Sequence, residues 1–176
     1  LPESESFLIE TYQLKNSWQS IKSYKSKKFD FIEKDNLVFL LGFPRTGTTL
    51  LDTILMGHPD IIVLEEAPMA EIMIEDFDGI GTPEDCYNLT KTDLVEFRKL
   101  YKIELEKQLG YSSKGKLIVD KHPLNTRYIP LLHHAFPDAK FIVALRHPCD
   151  CILSCFMQNF EFNKGTGNLI SLTKST

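Results

Sequence analysis

Four short apolar runs set the rhythm of this chain: Leu37-Val38-Phe39-Leu40-Leu41, Asp60-Ile61-Ile62-Val63-Leu64, Lys116-Leu117-Ile118-Val119-Asp120 and Ala139-Lys140-Phe141-Ile142-Val143-Ala144-Leu145. Each is short, apolar and bounded by charged or turn-forming residues, the pattern of a buried strand. Between them the apolar period lengthens to that of a helix. One helix is predicted from about Gly47 to Met56, stopped by Gly57 with Pro59 beyond, and another over Ala67–Glu75. Thr82-Pro83 reads as an N-cap followed by a first-turn proline. A longer helix runs from about Thr92 to Leu109, with Leu94, Phe97, Tyr101 and Leu105 on one stripe and Gly110 as its stop. The third and fourth strands run into Lys121-His122-Pro123 and Arg146-His147-Pro148, each a cation, a histidine and a helix-starting proline, with helices to Ala135 and about Phe160. Strands alternating with helices predict an α/β fold, a parallel sheet flanked by helices on both faces. Ligands of such sheets sit outside the carboxyl ends of the strands.

The flanks are different in character. Residues 1–35 are polar with scattered aromatics and a basic group, Lys22, Lys25, Lys27 and Lys28, and read as a helical lead-in whose lysines form a solvated face. The core is assigned to 36–162, and 163–176 to an irregular tail. A chain of 176 residues is one domain or part of a larger one, and its net charge of −4 argues against a nucleic-acid polymer as partner. No apolar run approaches the ~18 residues of a membrane span. The chain starts at Leu1 rather than Met, which leaves a removed signal or anchor open. Cys149, Cys151 and Cys155 share one predicted helix at offsets of two and four, neither a C-x-x-C motif nor a disulfide framework, and with Cys86 they read as free thiols. The adjacent His133-His134 pair lacks metal-ligand spacing, so no metal is expected. Unpaired thiols favour a reducing, cytoplasmic setting.

Candidate chemistry centres on Gly42-Phe43-Pro44-Arg45-Thr46-Gly47-Thr48-Thr49, between the first strand and its helix. Two glycines five apart let successive amides turn toward one anion at a helix N-terminus. The spacing matches the phosphate loop G-x-x-x-x-G-K-[ST], except that Thr48 stands where the lysine would be and Arg45 is the loop's sole cation. Every predicted strand ends in charge: Arg45, Glu65-Glu66, Lys121 and Arg146. In a parallel sheet these share one edge. The mixture suits transfer of a highly charged group from an anionic donor to a neutral hydroxyl. Arg45, the loop amides, Thr48 and Thr49 would hold the moving anion. Lys121 would stabilise the leaving oxygen, and one of Glu65 and Glu66 would take the hydroxyl proton. Strand alternation predicts that only one of the two glutamates faces the loop. Arg146 would bind a second phosphate, shared with Ser154.

Gly42–Leu50 resembles the 5′-phosphosulfate loop of PAPS-dependent sulfotransferases (PAPS is 3′-phosphoadenosine 5′-phosphosulfate), and Leu145–Ser154 resembles their 3′-phosphate segment, an Arg with a Ser eight residues on. The likeness is to the tyrosylprotein and bacterial TPR-associated branch, through Arg45, His58-Pro59, Leu64-Glu65-Glu66 and the run Cys155–Phe160, and covers about residues 37–162. It implies a P-loop NTPase-like three-layer architecture with PAPS as donor, PAP as product and no metal. It implies Glu66 as base, Lys121 and Arg45 as the other catalytic groups, and Arg45, Thr46, Gly47, Thr48, Thr49, Arg146 and Ser154 as the donor site. A protein tyrosine, a sugar or a small alcohol would serve as acceptor. Family domains continue past the position of Thr176, so the resemblance also implies a C-terminally incomplete domain. Two other readings share the loop: a kinase using ATP and Mg²⁺, with Asp120 near the metal, and a truncated, non-catalytic nucleotide-binding module.

Overall fold

A computed structural model describes residues 34–75 and 83–158, together with positions 9, 12, 16, 29 and 31. The lead-in helices expected before residue 34 fall mainly outside these residues, and the tail expected at 163–176 falls wholly outside them.

The described elements run β1 Leu37–Gly42, α1 Thr48–Met56, β2 Ile61–Glu65, α2 Met69–Glu75, α3 Pro83–Asn88, α4 Lys91–Leu109, β3 Leu117–Lys121, a 3₁₀ segment Pro123–Tyr128, α5 Ile129–Ala135, β4 Lys140–Ala144 and α6 Pro148–Phe156. The four strands form one parallel sheet in the order β2-β3-β1-β4. All carboxyl ends therefore lie along one edge, carrying in turn the Glu65 end, Lys121, the loop after Gly42 and the segment before α6.

β1 is buried along its whole length, and its alternation divides the core. Leu37, Phe39 and Leu41 pack with Met69, Leu94, Phe97, Tyr101 and Leu131, from α2, α4 and α5. Val38 and Leu40 point the other way and join Val119, Leu51 and Leu55, the last two from α1. Period-2 strands thus bury both faces against period-3.6 helices. The stripe Leu94, Phe97, Tyr101 and Leu105 is the buried face of α4. Arg98, also buried there, pairs with Asp35 just before β1 and donates to the Ala135 carbonyl at 2.7 Å, tying three elements together.

Two expected boundaries move for identifiable reasons. α4 begins at Lys91, one residue before the expected start, because Thr90 is its N-cap. The Thr90 side chain accepts from the Asp93 amide and the Asp93 carboxylate accepts from the Thr90 amide, a reciprocal capping box. The single helix expected from Pro123 to Ala135 is a 3₁₀ segment followed by α5. Pro130 falls in the first turn of α5, where its missing N–H costs nothing, whereas inside one continuous helix it would break the ladder.

Candidate functional site

The loop after β1 is closed by its own residues. The Phe43 carbonyl accepts from the Thr46 amide at 3.2 Å and from the Thr46 hydroxyl at 2.7 Å. A side chain at Gly42 would crowd the loop: a Cβ would lie 2.6 Å from Thr46 Oγ1 and 3.1 Å from the Ala144 carbonyl. Gly47, at φ 101°, is the N-cap of α1 and brings no side chain to its first amides. Those amides are left for an anion, the arrangement that helix N-termini use for phosphate and sulfate. Thr48 is buried at the head of α1, and Thr49 beside it is exposed.

Arg45 and Arg146, about a hundred positions apart in the chain, meet on this loop. Arg146 donates from Nη1 to the Arg45 carbonyl at 3.2 Å, and Arg45 donates from Nε to Ser154 Oγ at 3.1 Å. Helix α6 adds two thiols beneath the loop: Cys155 reaches the Pro44 carbonyl at 3.7 Å and Cys151 the Arg45 carbonyl at 4.0 Å. Burial is the main cause that pushes the Cys155 thiol pKa up, so it remains a donor. Beside these groups opens a cavity of about 420 Å³, whose lining includes Gly42, Phe43, Thr46, Thr126, Leu145 and Arg146.

A second constellation lies on the neighbouring strand ends. Lys121, the last residue of β3, is completely buried, and its ammonium faces three carboxylates: Glu66 at 2.9 Å, Asp52 at 3.1 Å and Glu65 at 3.2 Å. Asp52 is buried with it, whereas Glu65 and Glu66 are more than half exposed. Burial works against the Lys121 charge, but the bonds to Glu66, Asp52 and Glu65 outweigh it and raise its pKa. The ammonium therefore stabilises the fold fully below the ordinary lysine pKa, and that contribution is lost as pH rises through the higher folded value.

The expectation that only one glutamate could face inward is wrong. Glu65 closes β2 opposite Lys121, but Glu66 has already left the strand, at φ 49°, with its amide bonded to the Lys121 carbonyl at 2.8 Å. The turn cancels the alternation and brings both carboxylates to one ammonium. Among the described residues, Arg45 and Glu66 are the two non-glycine positions with positive φ. Backbone strain of this kind concentrates where a side chain must be aimed.

Asp52 is the member that the sequence reading missed. It sits in the apolar-periodic run Leu50–Leu55, four positions after the buried Thr48 and so on the same inward face of α1. A lone acid on a buried helix face needs a partner, and that was the available signal. Asp120, by contrast, turns to the other side of the sheet and accepts from the Tyr101 hydroxyl at 2.8 Å. Cys151 and Cys155 are buried and Cys149 is exposed; all three are free thiols.

The edge therefore offers positive charge and free amides at the loop, and next to it a cation held among acids. Among the described residues, no helix is long and apolar enough to cross a membrane.

Comparison with known proteins agrees with this layout. The family model described as "Sulfotransferase family" matches residues 37–171, from the start of β1 past the end of α6. An uncharacterised protein of Aquifex aeolicus is 30% identical over 138 residues, covering 73% of this chain and 18% of its own length. Nodulation protein NoeE of Sinorhizobium fredii is 29% identical over 122 residues, 64% of this chain and 29% of that protein. Protein-tyrosine sulfotransferase 1 of Rattus norvegicus is 27% identical over 125 residues, 69% of this chain and 34% of that protein. The chain thus spans about a third or less of the length of these relatives. With the match running through β1, its loop, Lys121 and the Arg146 segment, the chain belongs to the sulfotransferase family.

Proposed function

We propose that this chain carries the donor site and two of the reacting groups of a PAPS-dependent sulfotransferase. The observation that carries the reading is the junction of Arg146, the Arg45 backbone and Ser154 at a loop with uncapped amides, beside a cavity of about 420 Å³. The donor carries anionic groups at both the 5′ and 3′ positions of one ribose. A site for it needs two anion-binding points at a fixed separation, with apolar wall between them for the nucleoside. In this reading the loop amides, Arg45, Thr46, Gly47, Thr48 and Thr49 hold the phosphosulfate, while Arg146 and Ser154 hold the 3′-phosphate.

The donor supplies a sulfur that is already electrophilic. Glu66 takes the proton of the acceptor hydroxyl as the acceptor oxygen bonds to sulfur. Lys121 donates to the bridging oxygen, which keeps the electron pair of the breaking S–O bond and leaves as part of the bisphosphate. Sulfuryl carries less charge than phosphoryl, so cationic side chains suffice without a metal clamp. The acceptor is a hydroxyl on a protein tyrosine, a sugar or a small alcohol; one relative is by name a protein-tyrosine sulfotransferase.

A kinase reading is weaker. It needs a lysine where Thr48 stands, and the strand-end acid expected near Mg²⁺, Asp120, is turned toward Tyr101 on α4. The deciding measurement is thermal unfolding in EDTA. Adenosine 3′,5′-bisphosphate is expected to raise Tm and ATP is not; a shift with ATP and Mg²⁺ alone would favour the kinase. Arg146→Ala is expected to weaken bisphosphate binding by about 2 kcal/mol, the low end for a charge pair this exposed. Unchanged affinity would remove the 3′-phosphate assignment.

A further inference from the structure

We propose that Asp52 is a positioning residue: the buried carboxylate on the loop's own helix that holds the Lys121 ammonium in place while Glu65 and Glu66 let go of it. The inference rests on the sulfuryl-transfer reading for its use, but its geometry stands independently.

Three carboxylates surround the Lys121 ammonium: Glu65 from the end of β2 and Glu66 from the turn after it accept its hydrogen bonds, and Asp52 from α1 lies 3.1 Å away as an ion-pair partner. They also differ in exposure. Asp52 is 1% exposed, and Glu65 and Glu66 are 54% and 58% exposed. Because Lys121 is fully buried and the two exposed glutamates take its hydrogen bonds, an anionic oxygen arriving at the strand edge reaches it by displacing one of them. Either glutamate can swing into water at little cost. Asp52 cannot, because releasing the ammonium would strand a buried charge. The Thr53 hydroxyl donates to the Thr49 carbonyl at 2.7 Å and lies 3.2 Å from Asp52 Oδ1.

Two consequences follow for the reaction. α1 begins at the loop and Asp52 lies one turn inside it, so the helix whose amides face the donor also sets the position of Lys121. When the donor oxygen takes the place of Glu66 at the ammonium, Glu66 becomes an unpaired carboxylate beside the acceptor. The resting ion pair thus stores the base in a blocked form and frees it only when the donor is in place. Burial, which by itself disfavours the Lys121 charge, is offset by these acids together, and Asp52 is the one that persists after the exchange.

The test follows the Lys121 side-chain NMR signal through pH in wild type and Asp52→Asn, with the signal assigned by its loss in Lys121→Met. Bisphosphate release from PAPS is measured in parallel. In Asp52→Asn the Lys121 titration is expected to fall by about one pH unit or more. The release kcat should fall by about 10²-fold with little change in KM for PAPS, and Asp52→Glu should recover part of both. An unchanged Lys121 titration in a folded Asp52→Asn protein overturns the proposal. If Asp52→Asn does not fold, the pair Asp52→Leu with Lys121→Met decides: restored folding supports the pairing, and a double variant equally unfolded overturns it. A wild type that binds bisphosphate but releases none from PAPS would count against the sulfotransferase reading while leaving the Lys121 titration to judge Asp52.

Discussion

Asp120 and Lys121 are neighbours in β3, both with 0% exposure, and the fold accommodates them in opposite ways. Lys121 points toward α1 and keeps its charge among three carboxylates. Asp120 points toward α4, where its partner is the neutral Tyr101 hydroxyl and a further acid, Glu71, acts on it through space. Burial raises its pKa from 3.8 to about 7, opposed by the Tyr101 bond and reinforced by Glu71. One buried group is matched by counter-charge; the other meets burial with a pKa raised to about 7. The difference lies in what surrounds each group: the buried ammonium opens to an exposed pair of acids, which is where the proposed exchange would occur, whereas the buried carboxyl is bonded to a buried tyrosine within the packing of the sheet on α4.

The sharpest way to break this contrast is to remove the cation. Lys121→Met leaves Asp52 buried beside two further acids, and the expected cost is about 3–5 kcal/mol in denaturant unfolding. Replacing Asp52 by Leu in the same chain should return most of that loss, because the stranded charge goes with it. A Lys121→Met protein as stable as wild type would mean that the three carboxylates do not depend on the ammonium.

On the opposite face the expected effects are smaller and depend on pH in a lower window, from about 4 to about 7. Tyr101→Phe removes the donor to Asp120 and should cost about 1–3 kcal/mol, with the larger loss above pH 7, where the ionised carboxylate needs that bond. For Asp120→Asn the sign changes. The native state binds the Asp120 proton more tightly than the unfolded chain does, so wild-type stability falls as pH rises from about 4 to about 7. Asparagine removes that dependence while still accepting from Tyr101. The variant should therefore exceed wild type in Tm at pH 8 by roughly 2–4 °C for each ~1 kcal/mol recovered, and the gain should vanish near pH 4. A gain of equal size at both pH values would show that Asp120 is not protonated in the fold.

How much of this could be read from the sequence follows the same division. The sheet, its parallel sense and the charged edge were legible because short apolar runs such as β1 are separated by helical segments and each run is followed by a charge. Arg45, Arg146 and Ser154 were legible as a set through their family spacing, though not the direct contact between Arg146 and the Arg45 carbonyl. Glu66 escaped the alternation rule because a single left-handed residue reverses the direction of a side chain, and nothing in Leu64-Glu65-Glu66-Ala67 announces a positive φ. Asp52 was hidden inside a helical apolar pattern that tolerates one polar position without comment. Asp120 was visible as a strand-end acid, but which face it took depended on where the strand stopped: β3 includes Lys121 and so ends one residue later than expected.

The smallest expected effect separates the two glutamates. Both carboxylates lie within about 3 Å of the same ammonium and are comparably exposed, so stability alone will not tell them apart; Glu65→Gln and Glu66→Gln should each cost about 0–1 kcal/mol. Rate should. Glu65 belongs to β2 in register with Lys121, and its backbone is fixed by the sheet. Glu66 lies one residue beyond the strand, at positive φ with its amide still bonded to the Lys121 carbonyl, and its carboxylate makes the shorter contact with Lys121. As the proposed base, Glu66 should spare bisphosphate affinity when changed to Gln and lower turnover by about 10²–10⁴-fold, whereas Glu65→Gln should change turnover by less than about tenfold. The reverse pattern would move the base one residue back and leave the strained backbone at Glu66 with a structural role only.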